Sequence, residues 1–449
     1  MRFRLSVLVG LCLFTATGNT WAQSASVPLV TPQTTSTNDI SSNNLNSPDG
    51  STGELTLARA LNLTLKMNSN LAAFAAEIHA KDAAAQQAGL LPNPNLSVEF
   101  ENFAGEAELE SFDSAEITIA LSQLVELGGK RGKRRQVATL EKDLASWDYQ
   151  TKNFDVFTRT ANTFIQVLAA QQRKILTEDL VRLSEQTLAA VAARVEAGKV
   201  PPLEQTRAQV ELVSARTEAN KAYRELQSTR ARLAAFWGAE QLEFQQAVGG
   251  LTTINPIPNE EAFFSLLKNN PDLARWGTEI DQGEAAIILA RAQAIPDLSF
   301  SLGVRNFQES DNNALVARFE LPLPLFDRNQ GGVRQARATL EKARHERRAA
   351  ETEARAGLAE AYHSLSASHA EATTLRDEIL PAAQNAFEAS EFGYCEGKFN
   401  FLQMLDAQRT LFAVKGQYLQ ALATYHQSRI EVERLIGSPL HNFLKSAIK

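Results

Sequence analysis

The sequence predicts a mainly α-helical protein with a small antiparallel β part, built from a strand-hairpin plus long-helix unit that is written twice. Three observations predict it. The chain matches itself at an offset of about 200 residues, each copy holds a helical pattern far longer than a globular helix, and each holds a pair of short strands that alternate between apolar and polar residues.

The duplication constrains the fold most. At an offset of 202, Leu71, Ala72, Glu77, Ile78 and Ala88 fall on Leu273, Ala274, Glu279, Ile280 and Ala290, and Pro94, Leu96 and Ser97 on Pro296, Leu298 and Ser299. At 200, the run from Ala138 to Lys142 meets the run from Ala338 to Lys342. At 199, Gly198, Lys199 and Leu203 meet Gly397, Lys398 and Leu402, and Gly238 meets Gly437. A drift of three residues over such a length is what a duplicated structural unit gives. The halves are 54–238 and 259–437, joined by a linker over 239–258 and followed by a tail over 438–449.

Each half has the same order. A short helix and an Ala-rich helix (about 54–90 and 259–294) end at Leu91-Pro92-Asn93-Pro94 and Ile295-Pro296, because proline cannot continue a helix. Strands follow at about 95–103 and 115–126, and again at about 297–306 and 314–325. Next comes one uninterrupted helix per half, about 130–197 and 331–395, which at about 1.5 Å per residue is on the order of 100 Å long. A Gly-Lys turn (Gly198-Lys199, Gly397-Lys398) reverses the chain into return helices over about 203–237 and 401–436.

The strands carry a membrane signal. Leu96, Val98 and Phe100 alternate with Ser97, Glu99 and Glu101; Leu298, Phe300, Leu302 and Val304 alternate with Ser299, Ser301 and Arg305. Such alternation suits a barrel strand with one face in lipid and one in a wet lumen. Four strands cannot close a barrel, and an open edge in hydrocarbon leaves backbone groups unsatisfied. The chain must therefore assemble: two copies give eight strands and a filled lumen, three give twelve and room for an aqueous pore.

The N-terminus reads as a secretory signal over 1–22, with Arg2 and Arg4, an apolar core from Leu5 to Phe14, and a cleavage site before Gln23. A Ser-, Thr- and Asn-rich flexible leader over 23–53 follows. Removal of the signal leaves Cys395 as a free thiol with no intramolecular partner. The formal net charge of −7 argues against nucleic acid as a partner. Lys130-Arg131-Gly132-Lys133-Arg134-Arg135 opens a helix and is read either as a cluster at anionic headgroups or lumen, or as a solvated basic turn. The six histidines include no pair spaced to share a helix face, and nucleophile constellations and phosphate-cradling glycine loops are absent. Neither an enzyme, a cofactor nor a metal site is expected.

This plan resembles the TolC-type outer-membrane factors over essentially the whole mature chain. The stretches from Leu121 to Arg131 (LSQLVELGGKR) and from Leu321 to Gly331 (LPLPLFDRNQG) resemble the cobalt-zinc-cadmium (CzcC-like) branch; Gly397 to Leu402 (GKFNFL) is a general tip motif. The resemblance implies a homotrimer with a twelve-stranded outer-membrane β-barrel on a periplasmic α-helical tunnel, the two shorter helices of each half stacked end to end. Implied partners are a periplasmic adaptor (membrane fusion protein), an inner-membrane pump of the resistance-nodulation-division (RND) class and outer-membrane lipid, and the implied cargo is heavy-metal cations. Gly198, Lys199, Gly397 and Lys398 would meet the adaptor at the tip. Glu204, Arg207, Gln403 and Asp406 would form a periplasmic gate, with Asp406 pairing with Arg207 of a neighbouring helix. The same scaffold could serve organic drug efflux or type I secretion, and a periplasmic coiled-coil adaptor is the reading from another class.

Overall fold

A computed structural model describes residues 53–103, 112–239 and 244–438; the expected signal, the leader up to residue 52 and the tail from residue 439 lie outside the described residues. The first half runs β1 (Glu54–Thr56), α1 (Leu57–Met67), α2 (Ser69–Ala88), β2 (Asn95–Glu101), β3 (Glu116–Val125), α3 (Lys130–Glu196) and α4 (Pro202–Ala234). The second runs β4 (Gln246–Val248), α5 (Glu260–Leu266), α6 (Pro271–Gln293), β5 (Leu298–Phe307), β6 (Asn312–Glu320), α7 (Gln330–Thr374), α8 (Leu380–Cys395) and α9 (Phe401–Ile436).

Two asparagines set the helical layout. The Asn68 side chain caps α2 by accepting from the N–H groups of Asn70 and Leu71 at 3.0 and 3.2 Å, and donates from Nδ2 to the Phe236 carbonyl, just beyond α4, at 2.7 Å. Its counterpart Asn270 accepts from Asp272 N–H at 2.7 Å and donates to the Leu435 carbonyl near the end of α9 at 3.0 Å. Each side chain thus satisfies an orphan donor at one helix start and a carbonyl at another helix end. The short helices are thereby held end to end beside the long one.

Helix ends follow one rule. Gly198 (φ +64°) and Gly397 (φ +76°) adopt the left-handed conformation. The next N–H, of Lys199 or Lys398, returns to the carbonyl of Arg194 or Gly393 at 2.9 and 2.8 Å. This six-to-one bond closes the last turn where a side chain at the glycine would be strained.

The α3 helix is unbroken over 67 residues. Its counterpart corrects the expectation of one uninterrupted helix over 331–395: α7 and α8 are separated by a π turn over Leu375–Ile379. The cause is Pro381, whose missing N–H and ring clash disrupt the ladder at the carbonyl four residues back, inside that turn. The last strand also ends earlier than 325, at Glu320, because Pro322 and Pro324 have no N–H to donate to a ladder.

The core lies mainly in the middle of the helical body, where Phe164, Val167, Leu168, Leu233, Trp237, Leu411 and Leu422 pack together. There the 239–258 connection is bound down along much of its described length rather than free. Residues 246–248 pair in parallel with 54–56, and the Gln171 amide mimics a further strand, donating to the Ala247 carbonyl (2.9 Å) and accepting from its N–H (2.7 Å). Tyr425 Oη brackets Asn255, and His426 Nε2 lies 2.7 Å from the Leu251 carbonyl. One face of α3 joins the halves through Trp147 to Thr278, Asp148 to Arg275, Thr151 to Asp272 and Asp155 to Arg434, at 2.6–3.0 Å.

Candidate functional site

The four strands form one antiparallel sheet in the order β2-β3-β5-β6. Register aligns the apolar residues in rows: Leu96, Leu121, Leu302 and Ala317 in one, Val98, Ile119, Val304 and Leu315 in the next. This face is open, Leu315 being 81% exposed. Phe300 packs against Phe319 at the end of this face near the helical body (5.0 Å between centroids), and Phe103 stacks with Phe112 beyond the outer end of β2 and β3 (5.8 Å). Ten residues at about 3.3 Å each reach on the order of 30 Å, enough for a tilted strand to cross a bilayer core.

The opposite face is polar and concave. Arg318 on β6 reaches Glu99 on β2 at 3.7 Å, although two strands separate them, so the sheet curls toward this side. Arg305 spans three strands, meeting Glu116 at 2.6 Å, Glu101 at 2.7 Å and the Thr118 hydroxyl at 2.9 Å. Gly303 permits the curl: a Cβ there would lie 2.5 Å from the Ile119 carbonyl and 2.6 Å from the Ala120 Cβ. Among the described residues, the sheet's outer edges, β2 and β6, have no partner strand.

Below the sheet, the basic cluster has a structural role that neither expectation anticipated. Arg131 and Arg134 donate to the Gly89 and Ala88 carbonyls at the end of α2, at 2.5 and 3.1 Å, complementing the negative end of its dipole. Arg134 also grips Glu126 with two nitrogens, Lys130 pairs with Asp297 at 2.7 Å, and Lys133 binds the Gly128 carbonyl. In the second half Asn329, left-handed at φ +53°, does the capping alone by donating to the Ala290 carbonyl at 2.8 Å.

At the far end, Gly198, Lys199, Gly397 and Lys398 form the two helix-reversing turns, over a small core of Val191, Ala208, Tyr394, Phe401, Met404 and Leu405. The expected gate residues part company there. Glu204 accepts from the Tyr394 hydroxyl at 3.3 Å, and burial together with this carboxylate pushes the phenol above its ordinary range. Gln403 is used as a helix cap, its N–H and side chain exchanging hydrogen bonds with Asn400 at 3.0 Å. Asp406 is exposed and Arg207 half-exposed, and within the chain neither forms a described ion pair with the other; the bond linking these helices is Arg409 to Glu211. Among the described residues no three His, Cys, Asp or Glu side chains converge as around a metal ion, and no helix is long and apolar enough to cross a membrane.

Comparison with known proteins agrees with this geometry. The family "Outer membrane efflux protein" matches twice, over residues 60–239 and 264–438, one match per half. The chain is 35% identical over 390 residues to the cobalt-zinc-cadmium resistance protein CzcC of Cupriavidus metallidurans, covering 87% of this chain and 92% of that protein. It is 29% identical to the nickel and cobalt resistance protein CnrC of the same organism, over 62% of this chain and 65% of the relative. Among solved structures it resembles CusC, with a TM-score of 0.73 at 17% identity over 88% of this chain and 96% of that one. It also resembles the open-state MtrE outer membrane channel of Neisseria gonorrhoeae, with a TM-score of 0.71 at 17% identity over 86% and 89%. With the family matched over both halves and the sheet apolar on one face, this chain belongs to the outer membrane efflux protein family and resides in the outer membrane.

Proposed function

We propose that three copies of this chain close a twelve-stranded barrel in the outer membrane and conduct heavy-metal cations passively to the exterior, with an inner-membrane RND pump and a periplasmic adaptor supplying energy and choice of cargo. One observation carries the assembly. A sheet with an apolar convex face, a charged concave face and two unpartnered edges is stable in hydrocarbon only when other copies complete it. The metal cargo is supported by the resistance proteins that the chain resembles. Deletion is expected to sensitise the host to cobalt, zinc, cadmium or nickel more than to lipophilic antibiotics. Unchanged metal tolerance with drug sensitivity would instead favour organic efflux.

The periplasmic tip is the proposed gate. Arg207 on α4 and Asp406 on α9, free of each other within one chain, are placed to pair between copies and bias the tip toward closure. Each such exposed pair is worth about 0 to 1 kcal/mol, so its effect depends on threefold repetition. Arg207→Ala and Asp406→Ala are each expected to raise single-channel conductance in planar bilayers, with no further rise in the double variant. Wild-type conductance in both would remove this pair from the gate.

A further inference from the structure

Among the described residues, Arg305 is the guanidinium on the concave face that pairs with two carboxylates at once. Its Nη1 lies 2.6 Å from Glu116 Oε2, its Nη2 2.7 Å from Glu101 Oε2, and its Nε donates to Thr118 Oγ1 at 2.9 Å. The other Glu116 oxygen accepts from Asn102 Nδ2 at 3.3 Å, and Thr118 is only 5% exposed. The cluster lies at the outer end of the strands, beside the hairpins. Two carboxylates that converge on one cation, with a hydroxyl beside them, are an oxygen donor set suited to a divalent metal. Conduction fails where an ion binds too well to leave.

We propose that Arg305 is a built-in counter-cation that keeps the outer mouth from trapping divalent cargo. Its guanidinium fills the position that a divalent ion would otherwise take between Glu101 and Glu116. This rests on the lumen assigned above to the concave face. In that setting three copies place six carboxylates around the exit, and each Arg305 neutralises part of its pair. The charge is fixed, since arginine does not deprotonate in proteins. The mouth therefore stays free of tight divalent binding at any pH at which the carboxylates are ionised.

The test is single-channel current in potassium chloride with zinc or cobalt chloride added on the outer side. Potassium current alone establishes that a channel is present, so failure of the channel reading is seen separately. Wild type and Arg305→Lys are expected to tolerate the divalent ion, whereas Arg305→Gln is expected to be blocked at a concentration lower by about tenfold or more. Adding Glu116→Gln to Arg305→Gln is expected to relieve the block. Where Arg305→Gln yields little assembled protein, zinc or cobalt in the refolding buffer is expected to restore heat-stable trimer and potassium is not. Equal block of wild type and Arg305→Gln, an unblocked Arg305→Gln channel, or the absence of metal-dependent refolding in a variant that does not assemble would each overturn the assignment.

Discussion

At the scale of single residues, Asn68 and Asn270 do work that no nearby sequence reveals. They stand 202 residues apart, at the offset of the duplication, and their acceptors, Phe236 and Leu435, lie 168 and 165 residues away in the chain. Asn270→Ala removes a helix cap and the donor to a carbonyl, and is expected to cost about 1 to 3 kcal/mol. A lowered thermal midpoint of the helical circular-dichroism signal checks this, and Asn270→Asp, which keeps the cap but not the donor, should fall between. His426 is equally long-range, since it binds Leu251 from α9. Burial holds its pKa below the ordinary value, the Leu251 carbonyl partly opposes this, Arg429 lowers it further and Glu433 raises it. The unfolded chain thus binds the proton more readily, so stability is present above about pH 6.5 and is lost as pH falls through the folded-state value. The thermal midpoint is expected to drop between about pH 7.5 and 5.5, and His426→Gln to flatten that slope.

Elements show where local pattern suffices and where it does not. The strands were legible because alternation has a period of two and register preserves it, so each apolar set falls on one face. Depth was not legible: Phe300 lies near the helical body, paired with Phe319, whereas Leu302 belongs to a row further into the band. Leu302→Arg is accordingly expected to cost up to about 2 to 4 kcal/mol in the membrane and to lower trimer yield, while Ser301→Arg on the concave face is tolerated. Equal yields on a heat-modifiability gel would contradict the assigned faces. Reading 331–395 as one uninterrupted helix took that stretch to be free of proline, whereas it contains Pro381, the residue that marks the π turn over Leu375–Ile379. The basic cluster was found as a motif but not explained, because the helix ends that it caps reach it only through folding.

For the whole molecule, duplication was the strongest signal, since an offset drifting only from 202 to 199 gave the same order of major elements in both halves. What it could not supply was the difference between halves. Two arginines cap α2 while one asparagine caps α6, and one long helix is continuous while the other holds a π turn. In the proposed trimer such differences make the six helical units alternate rather than repeat identically. The two unpartnered edges have a kinetic consequence. If a sheet is complete only when three chains meet, membrane insertion is a reaction of high molecularity, and its rate falls far more steeply than chain supply. A host that halves expression would then lose much more than half of its newly inserted channels, until slow accumulation of unassembled chains restores the encounter rate.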